Sequence, residues 1–233
     1  MPAPSRRHLA ATSLTGFLRL PFRRIVLHTV LALFALPASR HAGAQTSGSI
    51  ALVSEHSLRG LSLSGRRPAL QLRIEHDAAA GWYAGSFLST VELPGSNARA
   101  QLVAYAGHAR RFASGASWEL GASQAVFPGE RRYDYLEAYA GLSLDRAGAR
   151  LYLSPSYYGA GKTAYLELNA FHPLGERLRL VARAGLLHRI GEHGSSRRNR
   201  ADLRLGLDAD VGDCTLQLAW LARQRDPAAS YAF

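Results

Sequence analysis

The side chains of this 233-residue sequence that could do chemistry fall into a few groups. Ser156-Tyr-Tyr-Gly-Ala-Gly161-Lys162-Thr163 ends like a phosphate-binding loop. Such a loop needs glycine where Ser156 stands, and a helix behind it whose free N–H groups meet phosphate. The residues after Thr163 alternate like a strand, so a hairpin turn with glycines at positive φ is expected there. His56, His76, His108, His172, His188 and His193 form no H-x-x-x-H pair and stand beside no second ligand at metal spacing, so neither metal nor cofactor is expected. Ser154 and Ser156 could join a histidine in a lipid-modifying enzyme, but no G-x-S-x-G is present. The chain is therefore not expected to be an enzyme. Cys214, the single cysteine, excludes an internal disulfide framework and shares a side with Leu216, as a small apolar filler would.

A larger group is spread along the chain. Arg73, Glu75, Glu137, Arg150, Glu167, Arg177, Arg179, Arg183, Asp202, Arg204, Asp208 and Asp210 each alternate with apolar residues. Leu178, Leu180, Ala182, Ala184 and Leu186 interleave with Arg177, Arg179, Val181, Arg183 and Gly185, and Leu203, Leu205, Leu207 and Ala209 interleave with Asp202, Arg204, Gly206 and Asp208. Period two puts the leucines on one side of a strand and the charges on the other, which no helix would do.

The elements that must position these residues are about twelve strands, with a range of about 10–14: 49–57, 69–77, 81–91, 99–108, 116–126, 133–144, 148–158, 163–172, 177–189, 201–211, 214–224 and 228–233. Turn signals such as Pro94-Gly-Ser-Asn97, Pro128-Gly129, Pro173-Leu-Gly175 and Gly212-Asp213 separate them.

The formal charge of +11 invites a nucleic-acid reading, but six of its arginines (Arg6, Arg7, Arg19, Arg23, Arg24 and Arg40) precede residue 45, where there is no acid. The apolar run from Ile25 to Leu36 follows Arg23-Arg24, and Ala42-Gly43-Ala44 is a small-x-small site. Those features read as a secretory signal peptide over 1–44, cleaved after Ala44, followed by one domain over 45–233. Removing it takes the charge to +5, which is 28 basic residues less six, against 17 acidic ones. Export makes nucleic acid an unexpected partner.

Alternation suits a soluble sandwich with leucines inside, or a membrane barrel with leucines toward lipid. The leader, the terminal Phe233 and the single layer of Leu and Ala favour the membrane. So do the aromatics Trp82, Tyr83, Phe127, Tyr133, Tyr157, Tyr158 and Phe171 near strand ends, where interfacial girdles would lie. The expected fold is thus all-β, a transmembrane antiparallel up-and-down β-barrel. Its lumen would either hold water, with arginines biasing passage toward anions, or be plugged by ion pairs and by Tyr135, Tyr139, Tyr152 and Tyr165.

Several short motifs carry a resemblance. Arg59-Gly60-Leu61-Ser62, Pro68-Ala69-Leu70-Gln71 and Gly81-Trp82-Tyr83-Ala84-Gly85 occur in that order, followed by Tyr135-Leu136-Glu137-Ala138-Tyr139 and by Tyr152 to Gly159. This resembles the TorF-type porin family, proteobacterial outer-membrane barrels long catalogued without a function, over about residues 49–190. The chain departs from that pattern at Leu72-Arg73, where glycines are usual, and at Ser89, where Asn is more typical. The resemblance makes Arg59, Gly60, Ser62, Pro68, Ala69, Leu70, Tyr83 and Gly85 motif positions. It implies an outer-membrane location in a Gram-negative cell after Sec-type export. The expected function is a porin-like channel for small polar or anionic solutes, against a structural or adhesive barrel without conductance and a lipid-modifying barrel enzyme. Expected partners are outer-membrane lipid and lipopolysaccharide, the barrel-assembly machinery through Phe233, small solutes and, as one possibility, further copies of the chain.

Overall fold

The computed structural model describes residues 30–33, 45–159, 161–191 and 199–223. Alternating segments form eleven long strands: β2 (Gln45–Val53), β5 (Ala69–Asp77), β6 (Trp82–Thr90), β7 (Ala100–Arg111), β8 (Ser117–Val126), β9 (Tyr135–Ser143), β10 (Ala147–Ser154), β11 (Thr163–Pro173), β12 (Leu178–Arg189), β13 (Asn199–Val211) and β14 (Cys214–Arg223). Each long strand pairs antiparallel with the next long strand in the chain, giving one up-and-down sheet. These are the first eleven strands expected from the sequence, with ends moved by a few residues. The twelfth, 228–233, lies outside the described residues.

Two short additions matter. The strand β1 (Val30–Leu33) pairs with β14 through Val30 and Leu31, and with β2 through Leu31 to Leu33. Among the described residues β2 and β14 are not paired with each other, so their backbone link runs through β1, inside the expected leader. The strands β3 (Ser57–Leu58) and β4 (Leu61–Ser62) make a separate small hairpin between β2 and β5.

The sheet curls with its leucines on the convex side. Leu70, Ile74, Leu136, Leu151, Leu166, Leu168, Leu186, Leu205 and Leu218 are all exposed. Cross-strand register lines them up, Leu151 opposite Leu166 and Leu166 opposite Leu186. The concave side holds the alternate residues, so Arg150 meets Glu167 and Tyr152 meets Tyr165.

At one end the strands are joined by short turns. At the other, the longer connections 54–68, 91–99, 127–134 and 155–162 pack together. Leu61, Leu63, Val91, Leu93, Ala98, Phe127, Tyr133, Tyr157 and Tyr158 form a buried apolar cluster there with Tyr135, Tyr165 and Leu187. Most of the expected aromatic girdle is therefore corrected. Phe127, Tyr133, Tyr157 and Tyr158 are buried in this cluster, and Tyr83 is turned to the concave side, because the converging loops and the polar interior give these rings partners. Phe171 also falls on the concave parity, near the short-turn end of β11, and Trp82 stands exposed on the convex face.

Candidate functional site

The 54–68 connection does not run over the rim as an ordinary turn. It folds inward as a stopper whose tip is Arg59-Gly60. Leu58 and Leu61 pair across the tip, and both tip residues have positive φ, 48° and 78°. Two positive φ values in a two-residue loop match the twist of a tight hairpin, and glycine takes the second without strain. Backbone bonds hold the stopper: Leu63 N–H donates to the His56 carbonyl and Glu92 N–H to the Leu63 carbonyl, each at 2.7 Å.

At the tip the Arg59 guanidinium donates from Nη1 and Nη2 to the two Glu137 carboxylate oxygens, at 2.6 and 2.8 Å. Both residues are buried, 4% and 3% exposed. The guanidinium carbon also lies over the rings of Tyr165, Tyr152 and Tyr157, at 4.4, 4.7 and 5.0 Å from their centroids. A forked cation can meet a carboxylate edge-on and stack on aromatic faces at once, which an ammonium cannot. The carboxylate and the rings thereby hold the buried charge, while Arg59 Nε is buried without a hydrogen-bond partner.

A second tie lies at the base of the stopper. The Gln71 amide donates to His56 Nδ1 at 3.0 Å, and His56 Nε2 meets the Gln101 carbonyl oxygen at 2.9 Å. With Nδ1 accepting, Nε2 carries the proton and the ring is neutral. Burial pushes the His56 pKa below its ordinary value, against the raising effects of Gln101 and Glu55.

Beneath the stopper is a chamber of about 780 Å³. Of the charged residues expected to face a lumen, Arg73, Glu75, Glu137, Arg150, Arg183 and Arg204 line it. Glu167, Arg179, Asp202, Asp208 and Asp210 belong to ion-pair or hydrogen-bond networks on the same concave side. Arg177 stands exposed in the turn before β12, which begins one residue later than expected.

Most of these arginines meet acids. Arg150 Nε donates to Glu119 at 2.8 Å, and Arg73 lies 3.6 Å from Glu75. Arg179 lies 3.5 Å from Asp210, while Arg183 lies 3.8 Å from Glu167 and 3.6 Å from Asp202. Tyrosines complete the network: Tyr83 donates to Glu119 at 2.9 Å, Tyr105 to Glu75 at 2.5 Å and Tyr165 to Asp202 at 3.1 Å.

Glycines make room for those phenols. Tyr83 lies across Gly107, Tyr105 across Gly85, Tyr139 across Gly121 and Tyr165 across Gly185, and a β-carbon at any of these glycines would overlap the ring or hydroxyl. The Tyr83 and Gly85 motif positions are thus halves of two such pairs. The other motif positions have plainer places. Ser62 Oγ accepts from Arg66 N–H, Pro68 precedes β5, Ala69 is buried on the concave side and Leu70 is exposed on the convex one.

Glu119, Tyr105, Gln101 and the stopper's use of Arg59 escaped the sequence reading. The four residues Leu58-Arg59-Gly60-Leu61, with leucines flanking a Gly-containing pair, were the available signal for a two-residue hairpin. The phosphate-loop lookalike is a loop as expected: Tyr157–Gly159 is a 3-10 segment kinked at Tyr158, whose φ is 51°, Gly159 and Gly161 have positive φ, and Thr163 opens β11.

The fold and site together define a class: an all-β, up-and-down sheet protein turned inside out, apolar on its convex face, with a polar chamber stoppered by its own hairpin. Over residues 37–232 the chain matches a family described as a bacterial protein of unknown function (Gcw_chp), and it belongs to that family. No curated protein and no solved structure matches it.

Proposed function

We propose that this chain is an outer-membrane β-barrel of a Gram-negative bacterium, working as a narrow, stoppered channel for small polar or anionic solutes. The observation that carries the proposal is the inversion of the sheet. A water-soluble fold would not leave Leu70, Ile74, Leu136, Leu166, Leu168 and Leu205 exposed while placing arginines, acids and a polar chamber on its concave side. Lipid on the convex face accounts for both halves of that pattern. The signal-peptide reading and the resemblance to TorF-type porins support the same location.

Export would remove β1 with the leader and leave its place between β2 and β14. A twelfth strand in that place would close the barrel. About twelve strands give a bore between the filled eight-stranded barrels and the open sixteen-stranded porins. The Arg59 stopper would then govern conductance.

The test is planar-bilayer recording of the refolded chain lacking residues 1–44, beside a variant in which residues 57–62 are replaced by a short Gly-Ser link. The expected result is small or intermittent steps for the first and clearly larger ones for the second. Absence of steps in both would overturn the channel and leave the second reading, a structural barrel. The network of ion pairs beneath a closed stopper favours that alternative.

A further inference from the structure

We propose that the chamber holds a binding site for a small carboxylate or phosphate anion at Arg183 and Arg204. The two residues stand directly opposite one another on β12 and β13, and both line the chamber. Like charges placed opposite on neighbouring strands destabilise a sheet unless something neutralises them. Here neutralisation is uneven. Arg183 has two acids, both at long range, 3.8 Å to Glu167 and 3.6 Å to Asp202.

Arg204 makes no ion pair among the described residues. Its Nη2 donates to Gln217 Oε1 at 3.1 Å, and Gln217 in turn donates from Nε2 to Asp208 at 3.2 Å. The amide thus bridges Arg204 and Asp208, whose Oδ1 is buried without a hydrogen-bond partner. The Nε atoms of both arginines are buried and have no hydrogen-bond partner. Arg150 faces the same space, although it is already bound to Glu119.

Two forked cations on adjacent strands, with unused donors and a chamber beside them, suit an anion with several oxygens. Inward-facing Arg179 differs, since Asp210 accepts from it. The placement of this site in a solute path rests on the channel reading; its ability to bind does not.

The experiment is equilibrium binding of inorganic phosphate to the folded, detergent-solubilised chain lacking residues 1–44, with acetate as competitor and thermal unfolding followed in parallel. Saturable phosphate binding that raises the unfolding temperature is expected. Acetate should displace it if the site takes carboxylates as well; failure of acetate to compete would overturn the carboxylate half of the proposal. R204Q should weaken binding at least tenfold. R204K, which retains the charge and loses the fork, should weaken it less, while R177Q on the exposed turn should bind as wild type does. If R204Q does not fold, R204K and the phosphate-dependent rise in unfolding temperature decide the matter. Undetectable binding to the folded wild type, or equal binding by R204Q or R204K, would overturn the site. Binding without conductance would sustain it while removing the channel, and conductance without binding would do the reverse.

Discussion

Arg59 and Glu137 join through two parallel hydrogen bonds of 2.6 and 2.8 Å, across 78 positions of sequence and with almost no exposure to solvent. One comes from a hairpin tip and the other from the concave side of β9. The pair therefore fastens the stopper to the wall of the sheet, and its consequences can be measured.

Removing one partner strands the other. E137A should destabilise the folded chain by about 3–5 kcal/mol, the usual cost of leaving one member of a buried ion pair uncompensated. The double variant R59M/E137L, which removes both charges and keeps apolar volume, should recover most of that loss. Denaturant unfolding of the three proteins checks this, and a double variant no more stable than E137A would count against a pair held by mutual compensation.

The glycine beneath Tyr165 offers a steric test. A β-carbon at Gly185 would collide with Tyr165 Oη and Asp202 Oδ2. G185A should cost about 1–3 kcal/mol, as overpacking in an interior does. G175A, in a turn where a β-carbon meets nothing within 4 Å, should be close to neutral. Unfolding midpoints that fell equally in both would contradict the Tyr–Gly fit.

His56 makes stability depend on pH with a definite sign. Its folded pKa lies below the ordinary 6.5, so between the two values the unfolded chain binds more protons. Its contribution is fully present above 6.5 and is lost as pH falls through that value toward the folded pKa. Protonation would also set an Nδ1–H against the Gln71 amide that now donates to it. H56Q should flatten this part of the stability profile, measured by unfolding from pH 8 to pH 5. An identical slope in wild type and variant would rule His56 out as the cause.

The membrane reading predicts an asymmetry between water and lipid. Leu168 lies on the convex face and is 48% exposed. L168R should be nearly neutral for a protein that keeps this face in water. In a bilayer it should cost about 2–4 kcal/mol if it lies near the midplane. Folding into vesicles, read as the gel-mobility shift between unheated and boiled samples, distinguishes the two. Wild-type chain that shows no such shift would argue against a tight membrane barrel.

Legibility of the fold was uneven along the chain. Runs such as Leu178 to Leu186 and Leu203 to Ala209 announced strands because a period of two survives any tertiary arrangement, and the inward parity of Arg183 and Asp202 followed from it. The family-motif residues Arg59 and Gly60 were visible as a motif but not as a stopper. A four-residue hairpin has too little periodicity to declare itself, and a loop carries no mark of the side on which it will lie. The aromatics near strand ends misled for a related reason. A ring such as Tyr157 or Phe127 satisfies lipid headgroups and a buried loop cluster equally well, and only packing chooses between them.

By itself the sequence determined the strands, the two faces of each and the polar character of one of them. These follow from local geometry, in which each side chain's direction depends on its immediate neighbours. Tertiary structure decided which charges meet. Arg59 reaches Glu137, Arg150 reaches Glu119, and Arg204 reaches Gln217, because curling brings distant strands and a folded-in loop to common depths. Ion pairing falls off over a few ångströms, and separations of that size between distant segments exist only once the sheet has curled.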